Sequence, residues 1–330
     1  MKSKPMTKFA ILTLSLILVA CAGGGSEEAG CPAIDGREIN VVATTPMIGE
    51  FVSQVGGESI NLTVLMPPEA NPHTYEPAPQ DAGTIAEADL VFYTGLLYEP
   101  AALVKLLENS ACSTDILSEV GESVFPIEFK EGGHDDHDDH DDEEGHDDHE
   151  GHNHGAYDPH FWFDPSRVAY AAEYIESRLI QFDPENESSY ISSADSFVSE
   201  LNDLTKQVSE LISTVPSQNR KLITTHESLG YLEAKFGLEV LSTIIPSLNS
   251  ANEISPSDLA GVIDVIEDNN VKVIFIESEA PSVYSETIVA ETGIKPVTGL
   301  YVETLKPGQS YSEFLISNVT LITENLQDTD

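Results

Sequence analysis

Residues 220–278 read RKLITTHESLGYLEAKFGLEVLSTIIPSLNSANEISPSDLAGVIDVIEDNNVKVIFIES. Short β-branched runs alternate here with helical segments. RKLITTH (220–226), LEVLSTII (238–245) and VKVIFIES (271–278) have strand length and composition, and the last is apolar enough to be buried on both faces. ESLGYLEAKFG follows the first of them as a helix. SPSDLAGVIDVIEDNN (255–270) is a second helix, opening on a serine cap with proline at an early helical position. Strands separated by helices return to the same end of a sheet, so the sheet is parallel. The pattern continues outward with a helix in SVYSETIVAETG, a strand in KPVTGLYV (295–302) and a final helix in YSEFLISNVTLITENL (311–326).

The same alternation precedes this stretch. INVVATT (39–45), INLTVLM (60–66) and DLVFYTG (89–95) read as strands, PMIGEFVSQVGG and LYEPAALVKLLEN (97–109) as helices, and SVFPIEF (123–129) closes that half. Two helical stretches join the halves. DPSRVAYAAEYIESRLIQF (164–182) ends at Asp183-Pro184. Residues 186–215 then carry Tyr190, Ala194, Phe197, Val198, Leu201, Leu204, Val208, Leu211 and Ile212 on one stripe. At 1.5 Å per residue that helix is roughly 40 Å long, a spine between two lobes. The expected fold is therefore α/β. An N-terminal lobe spans 37–183, a linking helix 184–215 and a C-terminal lobe 216–330.

The chain has 330 residues, with 15 Lys and Arg against 57 Asp and Glu, a net charge of −42. Such a field repels phosphates, which argues against a nucleic-acid partner, and attracts cations, metal ions included. Forty per cent apolar residues support a real core. Three lysines precede the apolar run FAILTLSLILVA (9–20), which is short for a membrane span and suits a signal peptide over residues 1–20. Leu18-Val19-Ala20-Cys21 resembles a bacterial lipoprotein box, with Cys21 as the lipidated first residue and 21–36 as a flexible tether. Cys31 and Cys112 remain, and an exported chain meets conditions in which they can pair.

Residues 131–155 read EGGHDDHDDHDDEEGHDDHEGHNHG. They hold seven of the ten histidines: His134, His137, His140, His146, His149, His152 and His154. With nothing apolar to bury, the stretch is expected as a disordered surface loop that attracts metal weakly. Three histidines are left. His73 follows the strand 60–66, His160 stands just before the helix from 164, and His226 ends the strand 220–226. Parallel sheets gather their sites at the carboxyl ends of strands, so all three can meet between the lobes. Three imidazoles suit Zn²⁺, with a carboxylate or water in the fourth position. Glu303, after the strand 295–302, is the first choice for that position. Glu277 is an alternative ligand or a partner to an imidazole N–H, and Asp158 or Asp164 is placed to orient the ring of His160.

At NPHTYEPAPQDAGTIAEADLVFYTGLLYEP (71–100), DPHFWFDPSRVAYAAEYI (158–175), ITTHESLGYLEAKFGL (223–238) and VIFIES (273–278) the chain resembles the solute-binding lipoproteins of zinc and manganese ABC importers, the zinc-uptake branch in particular. The resemblance implies two lobes joined by a rigid helix, with metal in the cleft between them held by His73, His160 and His226. The manganese branch usually has Glu at the third position, so His226 implies zinc. The family's last position is often Asp, and Glu303 departs from it by one methylene. An acidic histidine loop before the second histidine motif is common in zinc members. The implied protein is a monomeric, lipid-anchored receptor on the outer face of the cytoplasmic membrane or in the periplasm. It passes Zn²⁺ to a membrane permease driven by a separate ATPase chain. The competing readings are a manganese or ferrous-iron receptor of the same type, a metal-buffering or adhesive lipoprotein, and a surface zinc hydrolase. The last lacks any HExxH or GxSxG motif in this sequence.

Overall fold

A computed structural model describes residues 31, 34, 36–129, 157–279 and 283–327. The signal segment 1–20, Cys21 and the His/Asp-rich stretch 131–155 lie outside them. The N-terminal half is built on a four-stranded parallel sheet in the order β2-β1-β3-β4, with β1 Ile39–Ala43, β2 Ile60–Val64, β3 Leu90–Tyr93 and β4 Leu117–Glu119. Helix α1, Pro46–Gly56, starts at Thr45, whose side chain accepts from the Ile48 amide, and lays Met47, Ile48, Phe51, Val52 and Val55 on the core. Helices α2, Pro79–Ala86, and α3, Ala101–Ser110, complete this half. Strand β4 was not legible from the sequence, because three residues show no periodicity. The expected closing run 123–129 instead holds the end of a short 3₁₀ turn, Phe125 at φ 51°, and one isolated bridge from Glu128 to Tyr157. Pro126 in its middle cannot donate to a ladder. Cys31 and Cys112 are disulfide-linked, tying the entry to β1 to the exit of α3.

Helix α4, Pro165–Phe182, is capped by Asp164, and α5, Glu187–Ser213, runs for 27 residues. The buried stripe of α5 is Tyr190, Ala194, Phe197, Leu201, Leu204, Val208 and Ile212. Helix α5 packs on α1, on α4 and on the last helix, α9 (Tyr311–Gln327). One apolar core therefore runs through both halves and includes Phe51, Phe161, Trp162, Leu204, Phe275 and Phe314.

The C-terminal half departs from the expected continuous sheet. Strand β5, Lys221–His226, pairs with β6, Glu239–Ile245, and β7, Val273–Glu277, with β8, Lys295–Leu300, both parallel. Strand β5 lies beside β7, but among the described residues no ladder joins the two. At their carboxyl ends side chains take the backbone donors: Glu277 accepts from the His226 amide at 3.1 Å, and Thr225 Oγ1 from the Glu277 amide at 3.0 Å. Helices α6, Gly230–Phe236, α7, Pro256–Asn269, and α8, Val283–Thr292, connect the strands. The capping box of Ser255 and Asp258 starts α7 where the sequence places it.

Candidate metal centre

Three of the four site side chains come from the end of a strand or the chain that follows one, and the fourth, His160, from the approach to α4. His73 sits in the 3₁₀ turn Pro72–Thr74 beyond β2. Asn71 shapes that turn: its Oδ1 accepts from the His73 amide at 2.9 Å, while its Nδ2 reaches across to Ser250 Oγ at 3.0 Å and the Glu279 carbonyl at 3.3 Å. His160 precedes the turn Phe161–Phe163 that leads into α4. His226 is the last residue of β5, and Glu303 follows β8.

Two rings are oriented by buried carboxylates. Asp158 Oδ1 lies 2.8 Å from His160 Nδ1 and also accepts from the His160 amide. Glu277 Oε2 lies 2.5 Å from His226 Nδ1. With Nδ1 engaged on a carboxylate, each ring turns Nε2 to the opposite side. There the nitrogens meet Glu303. Its Oε1 is 3.0 Å from His73 Nε2 and 3.0 Å from His226 Nε2, and its Oε2 is 3.5 Å from His160 Nε2. Ligating atoms of His73, His160, His226 and Glu303 all lie within 4.8 Å of one another. The Nε2 atoms of His160 and His226 are buried and make no hydrogen bond, although Glu303 is close to both. An orphaned buried ring nitrogen is costly unless something else occupies its lone-pair direction.

The electrostatics reflect this burial. Burial alone pulls the imidazoles of His160 and His226 down. It is outweighed at His160 by the hydrogen bond to Asp158 and by Glu303, and at His226 by the charges of Glu277 and Glu303, so both end above the ordinary histidine value, His226 well above. Burial pushes Glu303 up, but the charges of His73 and His226 and the proximity of His160 take it well below the ordinary carboxylate range. Glu279, which accepts from the amides of Val302 and Glu303, is pushed up to about 8, first by burial and then by the charges of Glu303 and Glu277.

Asp164 belongs to a different task. It accepts from Ser166 N and Oγ as the cap of α4 and makes no bond to His160. Its proximity in sequence makes it a candidate to orient that ring, but the turn 161–163 carries it away. Two residues at the centre were not singled out from the sequence. Glu279 holds the backbone of the Glu303 turn. Tyr98 donates its hydroxyl to Glu303 Oε2 at 3.0 Å and the Glu303 carbonyl at 2.9 Å. Nothing local marks either; Tyr98 meets Glu303 across 205 residues.

The centre is closed: His160 and His226 are fully buried, Glu303 is 1% exposed and the His73 side chain 3%. Behind Asp158 lies a groove of about 690 Å³ whose lining includes Glu128, Glu227 and Glu233, beside the Glu128–Tyr157 bridge. Among the described residues no helix is long and apolar enough to cross a membrane.

Comparison with known proteins agrees with this architecture. The family model described as zinc-uptake complex component A, periplasmic, matches residues 41–325. The zinc-uptake protein ZnuA of Bacillus subtilis is 28% identical over 96% of each chain. The manganese-binding lipoprotein MntA of Halalkalibacterium halodurans is 23% identical over 96% of this chain and 97% of its own. In fold, the periplasmic zinc-binding protein TroA of Treponema pallidum covers 88% of this chain and 99% of its own at TM-score 0.75 and 21% identity. The Fe(III)-bound YtgA of Chlamydia trachomatis covers 87% and 98% at TM-score 0.72 and 26% identity. The chain belongs to the ZnuA family of metal-binding, ABC-importer solute-binding proteins.

Proposed function

We propose that this chain captures Zn²⁺ outside the cytoplasm and delivers it to an ABC-type importer, holding the ion with His73, His160, His226 and Glu303. The observation that carries the reading is the pair of orphaned, buried Nε2 atoms turned towards Glu303. Three neutral imidazoles and one carboxylate make a four-ligand N₃O set of the kind zinc takes. An ion in the cage gives each lone pair a partner, and the carboxylates on the two Nδ1 atoms keep those rings in the ligating tautomer.

The choice of metal rests on His226. Relatives are named for zinc and for manganese, so the second reading is a manganese receptor in the same cage. Carboxylate-rich sites favour that harder ion, and an imidazole in the third position works against it. The closed cage requires movement before the ion enters or leaves. The shared core and the α5 spine resist wide lobe opening, so the motion falls to the turns that carry His73 and Glu303. Cys21 supplies a lipid anchor, and the permease and its ATPase are separate chains. The His/Asp-rich composition of 131–155 makes that stretch an accessory metal binder, weaker than the cage.

Calorimetric titration of Zn²⁺ into a variant lacking 131–155, with Mn²⁺ competing, tests the reading. One tight site, abolished by His226→Ala and little disturbed by Mn²⁺, is expected. Ready displacement by Mn²⁺ overturns the metal. Loss of tight binding with the segment overturns the cage as the functional site.

A further inference from the structure

We propose that Tyr98 is a positioning residue that holds Glu303 to one-oxygen coordination and thereby biases the cage towards four-coordinate zinc. This deepens the function proposed above and rests on it. The two oxygens of Glu303 have different surroundings. Oε1 lies between His73 and His226, 3.0 Å from each Nε2. Oε2 takes the hydroxyl of Tyr98 at 3.0 Å and stands 3.5 Å from His160 Nε2. The phenol carries one hydrogen, and of its two acceptors on Glu303 the charged carboxylate binds more strongly than the carbonyl.

A carboxylate with one oxygen so engaged presents the other to an ion. With three imidazoles this completes a tetrahedral set, whose edges at zinc–ligand lengths are about 3.3 Å. The two distances from Oε1, 3.0 Å to His73 Nε2 and 3.0 Å to His226 Nε2, lie near that edge. Ions that favour six oxygen-rich ligands gain from a carboxylate that binds through both oxygens. For that, Oε2 must turn off Tyr98 and towards the ion. The long Glu arm allows such a turn, and the phenol opposes it.

Tyr98 is itself unable to follow. Its side chain is 1% exposed, with ring centroids 5.0 Å from His73, 5.3 Å from Trp162 and 5.9 Å from His160. The backbone before it is unusual. Gly95, Leu96 and Leu97 have φ of 76°, 54° and 63°, and two consecutive leucines in the left-handed region are costly. Surrounding bonds hold them there. Glu99, itself buried, accepts from Thr94 N at 2.6 Å, Gly95 N at 2.9 Å and Thr44 Oγ1 at 2.7 Å. Glu119 Oε1 accepts from Leu96 N at 2.8 Å. The strained turn thus delivers a rigid phenol to one oxygen of one ligand.

The test compares the full chain with Tyr98→Phe, which keeps the ring and removes the hydroxyl. Zn²⁺ and Mn²⁺ affinities are measured against a chromophoric chelator strong enough that the weak histidines of 131–155 do not report. Co²⁺ serves as the spectroscopic probe. The expected result is a fall in the zinc-to-manganese affinity ratio of about tenfold or more, the worth of a hydrogen bond to a charged group. The visible Co²⁺ band should change from the intense four-coordinate type to a weaker, higher-coordinate one. Glu303→Asp, whose shorter arm withdraws the carboxylate from Tyr98, supplies the second arm. Adding Tyr98→Phe to it should leave the ratio unchanged. Equal weakening of both metals with an intact Co²⁺ band, or no change, overturns the proposal and leaves Tyr98 a packing wall. A wild-type chain that prefers Mn²⁺ sinks the zinc reading instead. The Tyr98 proposal is then judged by whether Tyr98→Phe still shifts the ratio towards Mn²⁺.

Discussion

The two halves of the chain hold their candidate ligands in different ways. In the N-terminal half a continuous four-stranded ladder and the Cys31–Cys112 disulfide support the fold, and His73 stands off the sheet on a short turn. In the C-terminal half His226 is itself the last residue of a strand, and Glu277, the last residue of the neighbouring strand, satisfies both its ring and its amide. Those contacts occupy the place that ladder bonds would take between β5 and β7. Fold and site are therefore separable in the first half and the same set of contacts in the second.

The largest break to that comparison is in the N-terminal half. Replacing Cys31 and Cys112 by serine opens a loop of 81 residues, and chain entropy puts the loss at about 4.5 kcal/mol. The thermal midpoint should fall sharply while the metal affinity of the folded protein stays unchanged. A parallel loss of affinity would show that the halves are not separable. His226→Ala comes next. A four-ligand zinc site is worth about 10–16 kcal/mol, so one ligand accounts for roughly 3 kcal/mol, more than a hundredfold in Kd. It should also destabilise the metal-free protein by stranding Glu277, whereas His73→Ala should lower affinity with a smaller effect on stability. Calorimetry paired with thermal melts of the metal-free forms distinguishes the two.

Glu277→Gln and Asp158→Asn remove the charges that orient the rings, and each should weaken zinc about 10–100-fold. Glu277→Gln should also lower metal-free stability, since the pair bridges β5 and β7. An affinity effect without a melting effect would mean that fold and site are separable in the C-terminal half as well. Comparable in size per unit is the pH response. The raised values of His160 and His226 mean that their protons stabilise the metal-free fold below the unfolded histidine value, and that this contribution is lost as pH rises through the folded values. The ion must displace these protons. Zinc affinity should therefore increase with pH from 6 to 8, by at most about 1.4 kcal/mol per displaced proton per unit. Glu303, held well below the usual range, stays ionised throughout that window. A flat profile would sink the imidazole cage. The smallest expected effect is that of Asn71→Ala, about 1 kcal/mol, which loosens the turn of His73 against Ser250 and Glu279 and should act mainly on the metal dissociation rate. Stopped-flow chelation measures it.

Element positions were legible to within a few residues because the alternation is strong. The run 220–226 becomes Lys221–His226, and 311–326 becomes Tyr311–Gln327. The three histidines were legible for a different reason: outside 131–155 the sequence has no others, and each stands at a strand end or a turn. Asp158 and Asp164 were indistinguishable in sequence, and the turn between them decides that one meets a ring and the other caps a helix. The gap between β5 and β7 was also invisible, since it depends on Thr225 and Glu277 side chains meeting backbone amides across 52 and 51 residues.

Periodicity, caps and scarce histidines are local properties. Through them the sequence alone determined the α/β class, the parallel strands, the long spine and which imidazoles can converge. Tertiary structure decided the rest. It set which carboxylate faces which ring, how far Glu303 stands from each nitrogen, and that Tyr98 reaches one carboxylate oxygen of Glu303 and not the other. These are relations between residues that are mostly tens to hundreds of positions apart. Their energies depend on distance and burial, and neither exists until the chain has packed.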